Sequence, residues 1–267
     1  MVYFLSDAHI GSRALTNREE HQQRVVDLLE QMRADATQIF LLGDIFDFWY
    51  EYVWSVRDKE EYRPILDCLK RLTAQGIEVH FFTGNHDIWT FGWLARETGV
   101  QVHRESEVMT IEGRKCLLAH GDGLVPNDYM QTLPKRAQRR VRRFIRLRRV
   151  FHDPILQFLF RLLPPKVGNA FGYEWARRSR EKELAHPHPY QGEAKEALVR
   201  YAKEYEPKCD YYIFGHRHIE LDLQLADDSR VIILGEMFRQ MTYARMENGE
   251  MRIENEYAYK RRTIGGI

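Results

Sequence analysis

The chain has 267 residues, of which 44% are hydrophobic and 30% charged, and its formal net charge is +1. These values are ordinary for a globular protein and argue against a disordered or repetitive chain. The start MVYFLSDAHIGS has no basic segment followed by an apolar one, so we expect no cleaved secretion signal. No apolar run approaches the roughly 18 to 20 residues that span a bilayer, and three widely separated cysteines argue against a disulfide framework.

Strand-like and helix-like segments alternate at the beginning of the chain. Short apolar runs predict strands over residues 2–6, 39–42 and 79–83. Apolar residues with helical spacing predict helices over residues 18–33 and 60–75. This order predicts an α/β fold with parallel strands.

Further strands flank a long middle segment. They are predicted at residues 115–119 before it and at residues 211–214, 222–225, 231–234 and 242–246 after it. A helix is predicted over residues 193–203, ahead of the last four strands. The hairpin-like spacing of these strands predicts a mixed or second sheet.

A polar cluster follows each of five apolar runs. The clusters read SDAH, GDIFD, GNHD, HGD and GHRH, at residues 6–9, 43–47, 84–87, 120–122 and 215–218. In open α/β sheets, binding sites form beyond the carboxyl ends of strands. Carboxylates, imidazoles and one amide, with no thiolate, are suitable ligands for divalent metals. Each cluster is weak evidence alone, but five in this order predict a metal centre.

The order of these motifs closely resembles that of the calcineurin-like metallophosphoesterases, from residue 6 to residue 218. The resemblance implies an αββα sandwich with a two-metal centre. It implies a first metal held by Asp7, His9, Asp44 and His218. It implies a second metal held by Asp44, Asn85, His120 and His216, so that Asp44 bridges the two.

Such a centre would hydrolyse phosphoesters. Two divalent ions would lower the pKa of a shared water, and the resulting hydroxide would attack phosphorus. His86 would face the phosphate and stabilise its charge or protonate the leaving group, and Asp87 would orient the His86 imidazole. A hydrogen bond within a structural turn is the alternative for both side chains. The ligand set suits Mn²⁺, Fe²⁺ or Zn²⁺.

The segment 124–200 is strongly basic. It contains 17 Lys and Arg against 7 Asp and Glu, a net charge of +10, whereas the rest of the chain has 23 basic and 32 acidic residues, a net charge of −9. The segment lies between the predicted ligands His120 and His216. We therefore expect a helical insertion that forms a lid or a membrane-facing surface, between core segments 1–123 and 201–267.

Two helices are predicted within this insertion. If residues 135–151 form one helix, its apolar side chains share one face: Ala137, Val141, Phe144 and Ile145. Basic side chains lie opposite, and we predict that three of them contact substrate: Arg139, Arg142 and Arg146. Asp153 as N-cap and Pro154 as first residue begin a second, apolar helix, which ends before Pro164. It rises only about 15 Å, so it could lie on a bilayer or line an acyl-chain groove, but not cross the membrane.

A basic insertion with an apolar helix on a phosphoesterase core resembles the UDP-2,3-diacylglucosamine pyrophosphatase family of lipid A biosynthesis, over nearly the full chain. The resemblance implies a cytoplasmic, peripheral membrane enzyme on the inner face of the cytoplasmic membrane, with that anionic surface as a partner. It implies hydrolysis of a nucleotide-linked glycolipid at its α-phosphate, usually with Mn²⁺, to UMP and 2,3-diacylglucosamine 1-phosphate. The best-known branch has Arg where this chain has His86, so another lipid or nucleotide diphosphate is an alternative.

Two hypotheses from other classes remain open. The basic run could bind nucleic acid in a nuclease or phosphodiesterase, although such a surface has no need of the apolar helix. The chain could also be a catalytically quiet membrane-associated scaffold, which the full set of metal ligands disfavours. His186 and His188 lie outside the clusters, and we expect surface or packing roles for them.

Overall fold

The computed structural model describes residues 1–53, 57–185 and 189–255. Within these ranges the strands are β1 (Val2–Leu5), β2 (Gln38–Leu42), β3 (Glu78–Phe82), β4 (Gln101–His103), β5 (Glu107–Ile111), β6 (Arg114–Ala119), β7 (Tyr211–Phe214), β8 (Glu220–Gln224), β9 (Arg230–Leu234), β10 (Thr242–Glu247) and β11 (Glu250–Asn255). The helices are α1 (Arg18–Met32), α2 (Arg63–Ala74), α3 (Trp93–Thr98), α4 (Asn127–Thr132), α5 (Lys135–His152), α6 (Pro154–Arg161), α7 (Pro165–Ala185) and α8 (Ala197–Glu204). Short 3₁₀ helices occupy Arg57–Tyr62 and Glu193–Lys195.

The strands form two mixed sheets. The first has the order β11-β10-β1-β2-β3-β4, and its strands β1 to β4 run parallel. The second has the order β5-β6-β7-β9-β8, with a parallel centre of β6, β7 and β9 and antiparallel edges. The predicted parallel beginning and the predicted second sheet are therefore confirmed.

The sheets pack face to face with helices on both outer sides. Alternate residues of each strand point to the inner layer, where Phe4 stacks on Phe40 and both lie in one cluster with Ile213 and Ile232. The other face of the first sheet packs on α1 and α2, and that of the second sheet packs on α8. The predicted αββα sandwich is confirmed.

The predicted insertion is helical. Helices α4 to α7 lie between β6 and β7, and α5 matches the helix predicted from its apolar spacing. Asp153 caps α6 as predicted, because its Oδ1 accepts the amide hydrogens of Ile155 and Leu156, each at 3.0 Å. The boundaries 1–123, 124–200 and 201–267 stay a prediction. Helix α8 begins before residue 200, yet its apolar side packs on the second sheet.

Helix α7 packs closely on the core through a row of small residues. Gly168, Gly172 and Ala176 are spaced four apart and so share one face. A Cβ at Gly168 would collide with the Tyr52 hydroxyl, and one at Gly172 would collide with the Phe48 ring. The α7 backbone therefore lies directly against the aromatic residues that follow β2. His186 and His188, just beyond α7, lie outside the described residues.

Candidate metal centre

Five of the predicted metal ligands have a left-handed backbone. Their φ angles are 53° at Asp7, 46° at His9, 53° at Asp44, 66° at His216 and 50° at His218. These residues follow β1, β2 and β7, so each strand ends in a sharp turn at the same edge of the sandwich. Non-glycine residues seldom adopt this conformation, and where it persists the surrounding structure enforces it, most often at functional sites.

A first group of side chains surrounds Asp7. Its Oδ1 accepts a hydrogen bond from His218 Nε2 at 2.9 Å and lies 3.8 Å from His9 Nε2. The two Nε2 atoms are 3.2 Å apart. The other oxygen of Asp7 accepts the amide hydrogen of His216 at 2.8 Å, which ties β1 of the first sheet to β7 of the second. Gly215 makes this approach possible, since a Cβ there would lie 2.6 Å from Asp7 Oδ2.

A second group surrounds Asp44. Its Oδ2 lies 3.3 Å from His120 Nε2 and 3.9 Å from His9 Nε2, so this carboxylate faces both groups. Asp44, His120 and His216 place one potential ligand atom each within 4.8 Å of one another, as do Asp7, His9 and His218. Asp44 lies between the two groups, and its bridging role stays a prediction.

Buried polar atoms test whether these residues fit a metal. Nδ1 of His120 donates to the Leu42 carbonyl at 2.9 Å, which leaves Nε2 directed at Asp44. That Nε2 and Asn85 Oδ1 are both buried, and neither has a hydrogen-bond partner within the described part of the chain. Buried polar atoms without a partner are costly unless another group, such as a cation, satisfies them. The residues therefore fit a divalent metal pair, and the assignment of each ligand stays a prediction.

The protonation states of the carboxylates also suit metal ligation. Burial would raise the pKa of Asp7, but the charge and hydrogen bond of His218 outweigh it and hold this pKa well below its usual range. Burial likewise acts against ionisation of Asp44, whose pKa is nonetheless lowered by the charge of His120. Burial and the nearby His120 lower the pKa of His216 to about 4. Ionised carboxylates and a neutral imidazole are the forms that bind metals.

His86 lies at the metal centre, but its ring is oriented by the Asp47 carbonyl and not by the Asp87 side chain. Its Nδ1 donates to the Asp47 carbonyl at 2.6 Å, and its Nε2 lies 4.0 Å from Asp44 Oδ2. Burial lowers the pKa of His86, so the neutral ring presents an Nε2 lone pair to the site. The Asp87 carboxylate instead accepts amide hydrogens of Gly84 at 2.6 Å and Ile45 at 2.8 Å. Asp87 therefore does not make the predicted contact with the His86 ring. It joins the loops after β2 and β3 instead.

Three side chains of the centre were missed by sequence reasoning. Asp47 places Oδ1 3.4 Å from His9 Nδ1. Arg180 of α7 is buried, and its Nη2 lies 2.6 Å from His9 Nε2. Trp175, also on α7, has its ring 5.0 Å from the His86 ring. Asp47 is part of the GDIFD cluster, so the sequence did indicate its neighbourhood. For Arg180, the only indication in the sequence was the four-residue spacing of small residues before it, which predicts a closely packed helix face.

The predicted substrate-binding arginines lie apart from these contacts. Arg139, Arg142 and Arg146 are exposed on α5, a helix with no buried residue. The apolar side of α5 does reach the centre, since the Phe144 ring stacks 6.4 Å from the His216 ring. Nearby, Arg148 Nε pairs with Asp122 at 2.6 Å and holds α5 to the loop after β6. A role of the three exposed arginines in substrate binding stays a prediction.

Comparison with known proteins agrees with this geometry. The family model for calcineurin-like phosphoesterases matches residues 1–220. A UDP-2,3-diacylglucosamine hydrolase of Porphyromonas gingivalis is 36% identical over 256 residues, covering 91% of this chain and 92% of the relative. Enzymes of the same name from Haemophilus influenzae and Actinobacillus succinogenes are 26% and 30% identical, over 86% and 62% of this chain and 88% and 62% of theirs. With its sandwich fold and its cluster of histidines and aspartates, the chain belongs to the calcineurin-like phosphoesterase family.

Proposed function

We propose that this protein is a metal-dependent hydrolase that cleaves the diphosphate of a UDP-linked diacylated glucosamine, releasing UMP and the diacylglucosamine 1-phosphate. The observation that carries the proposal is the apolar approach to the metal centre. Phe144 of α5 stacks against His216, and Trp175 of α7 lies against His86, so aromatic side chains flank the ligands on two sides. Hydrolysis of a small, polar phosphoester does not require such walls, whereas an acylated substrate does.

Each residue of the centre has a definable task in this reaction. Two divalent ions, Mn²⁺ in our proposal, would supply Lewis acidity and water activation when bound by the seven ligands. Asp44 faces both ligand groups, and its Oδ1 accepts the His86 amide hydrogen at 2.8 Å, which fixes the GNHD loop. The Nε2 lone pair of His86 can accept a proton or a hydrogen bond at the reacting phosphate. The Asp47 carboxylate lies beside His9, with Oδ1 3.4 Å from Nδ1.

The exposed surface of the insertion supports the proposal that the substrate resides in a bilayer. Ile155 and Phe171 are each 72% exposed and Phe158 is 55% exposed, so α6 and α7 present an apolar surface. The exposed arginines of α5 lie on the adjoining helix. An apolar face with cationic neighbours suits peripheral binding to an anionic membrane, here the inner face of the cytoplasmic membrane. Within the described residues, none of the helices is long and apolar enough to cross a bilayer.

A product assay tests the proposal. Purified protein with Mn²⁺ is given UDP-2,3-diacylglucosamine, UDP-N-acetylglucosamine or single-stranded DNA, and products are identified by mass spectrometry. We expect UMP and the lipid phosphate from the glycolipid, with much slower cleavage of the unacylated nucleotide sugar. Degradation of DNA with the glycolipid left intact would instead show that the basic surface serves a nuclease.

A further inference from the structure

Helix α7 of the insertion carries a buried arginine into the metal centre. Arg180 is 2% exposed, and its guanidinium contacts imidazoles from two separate loops. Nη2 donates to His9 Nε2 at 2.6 Å, and Nη1 donates to His218 Nδ1 at 3.2 Å. Its Nε lies 3.7 Å from Asp47 Oδ1, and the group lies over the Phe238 ring at 5.2 Å. Removing a guanidinium from water is costly, so the fold holds this charge in the centre against a desolvation penalty.

The position of Arg180 is built into the helix. Gly168, Gly172, Ala176 and Arg180 follow one another at four-residue intervals on the face that packs on the core. At the same helix, Tyr173 donates to Glu61 Oε1 at 2.7 Å and lies 3.4 Å from the Tyr62 hydroxyl. Close backbone packing and these contacts together fix where the helix lies, and hence where the guanidinium lies.

The two imidazole contacts of Arg180 are incompatible with metal ligation. The Nε2 atoms of His9 and His218 are 3.2 Å apart beside Asp7, so these are the atoms that a metal would take. His9 Nε2 has one lone pair, which it cannot give to both a metal and Arg180. His218 would then carry its proton on Nδ1, which could no longer accept from Arg180. Metal binding therefore requires the Nη1 and Nη2 groups of Arg180 to give up these two imidazole contacts.

We propose that Arg180 is a phosphate-binding residue of this enzyme, supplied by the insertion, which exchanges its two imidazole contacts for phosphate oxygens when His9 and His218 bind a metal. A planar guanidinium binds phosphate oxygens in a bidentate manner, and its charge opposes the negative charge that builds up during phosphoryl transfer. The inference rests on the proposed function only for which molecule carries the phosphate. Phosphate binding by Arg180 requires only that a phosphate group lies next to the metals.

The test measures phosphate binding and metal binding separately. Inorganic phosphate is titrated calorimetrically into Mn²⁺-loaded protein, and Mn²⁺ is titrated into the metal-free protein. We expect Arg180→Gln to weaken phosphate binding about 10-fold to 100-fold, as for a lost charge-assisted hydrogen bond, and to bind Mn²⁺ at least as tightly as the original chain. Arg180→Lys, which keeps the charge but loses the planar fork, should recover part of the phosphate affinity.

A matched control lies two residues away on the same helix. The side chain of Arg178 is 74% exposed and pairs with Glu174, so Arg178→Gln should change neither affinity. Unchanged phosphate affinity in Arg180→Gln would overturn the proposal, as would a parallel loss of Mn²⁺ affinity, which would make Arg180 a support of the metal site. Failure of the chain to cleave UDP-2,3-diacylglucosamine, with the phosphate result intact, would overturn the proposed substrate and leave Arg180 in place.

Discussion

Asp44 combines three contacts that no other side chain of the centre combines among the described residues. Its two oxygens face His120, His9 and the amide of His86, so it links the ends of β2, β3 and β6 with the first ligand group. A carboxylate has enough lone pairs to serve two cations and a backbone donor together. Most of the centre therefore loses its geometry if this one side chain is shortened.

We expect Asp44→Ala to abolish hydrolysis of every phosphoester tested, because both metals lose a ligand. Metal content, measured by mass spectrometry of the purified protein, should fall with activity. Asp67→Ala, at a partly exposed position on α2 away from the metal centre, is the control and should retain both. Hydrolysis by Asp44→Ala at the original rate would contradict a two-metal centre bridged by this residue.

At the scale of elements, the predicted strand ends and the unpredicted α7 show what local sequence can convey. Asp7, Asp44 and His120 follow their strands directly, so hydrophobic runs and polar clusters sufficed to place them together. Arg180 and His9 are 171 residues apart, and their contact depends on how α7 crosses the core. That path is a result of tertiary packing. Only the spacing of Gly168, Gly172 and Ala176 gave a local indication of it.

The close packing of α7 on the core can be tested at Gly172. In Gly172→Ala, the added methyl group meets the Phe48 ring, so α7 must move away from the core. We expect kcat/KM for the glycolipid to fall by about 10-fold or more, since small misplacements at a reacting centre are costly.

Ser179→Ala controls for the higher helix propensity of alanine, because Ser179 is an exposed residue of the same helix. Its kcat/KM should stay unchanged. Equal activities of Gly172→Ala and the original chain would show that the close packing of α7 is unimportant for the site.

At the scale of the whole molecule, the metal centre joins the two sheets. Asp7 and Asp44 belong to the first sheet, and His120, His216 and His218 belong to the second. Bound metals would therefore hold the sandwich together at one edge. Ligands that bind only the folded state add stability according to their concentration relative to Kd.

We expect the melting temperature to rise when Mn²⁺ is added to chelator-treated protein. At about 100 times Kd the gain is about 2.7 kcal/mol, or roughly 5 to 10 °C for a chain of this size. Differential scanning calorimetry measures this, and Asp44→Ala serves as the comparison because its response should be small. An equal rise in both proteins would place the stabilising metal elsewhere.

Charge is also segregated across the molecule, and the exposed arginines of α5 carry much of the positive share. Replacing Arg139, Arg142 and Arg146 with Glu should weaken binding to vesicles that contain phosphatidylglycerol by about 100-fold or more, at about 1 kcal/mol per basic residue. Sedimentation with vesicles measures the change.

The matched control reverses three exposed cations of the core, Lys70, Arg114 and Lys208. It should bind vesicles like the original chain. If both triple variants lost binding equally, overall charge and not the insertion would determine membrane association.

The left-handed backbone at the ligands has a consequence for how this site can change over time. At Asp7, His9, Asp44, His216 and His218, the same residue supplies both the metal-binding side chain and the unfavourable φ angle. Glycine would relieve the backbone but remove the ligand, and an apolar L-residue would keep the strain and also lose the ligand. Substitutions that keep both properties are therefore confined to the few residue types, such as Asp, Asn and His, that ligate metals and tolerate a left-handed backbone.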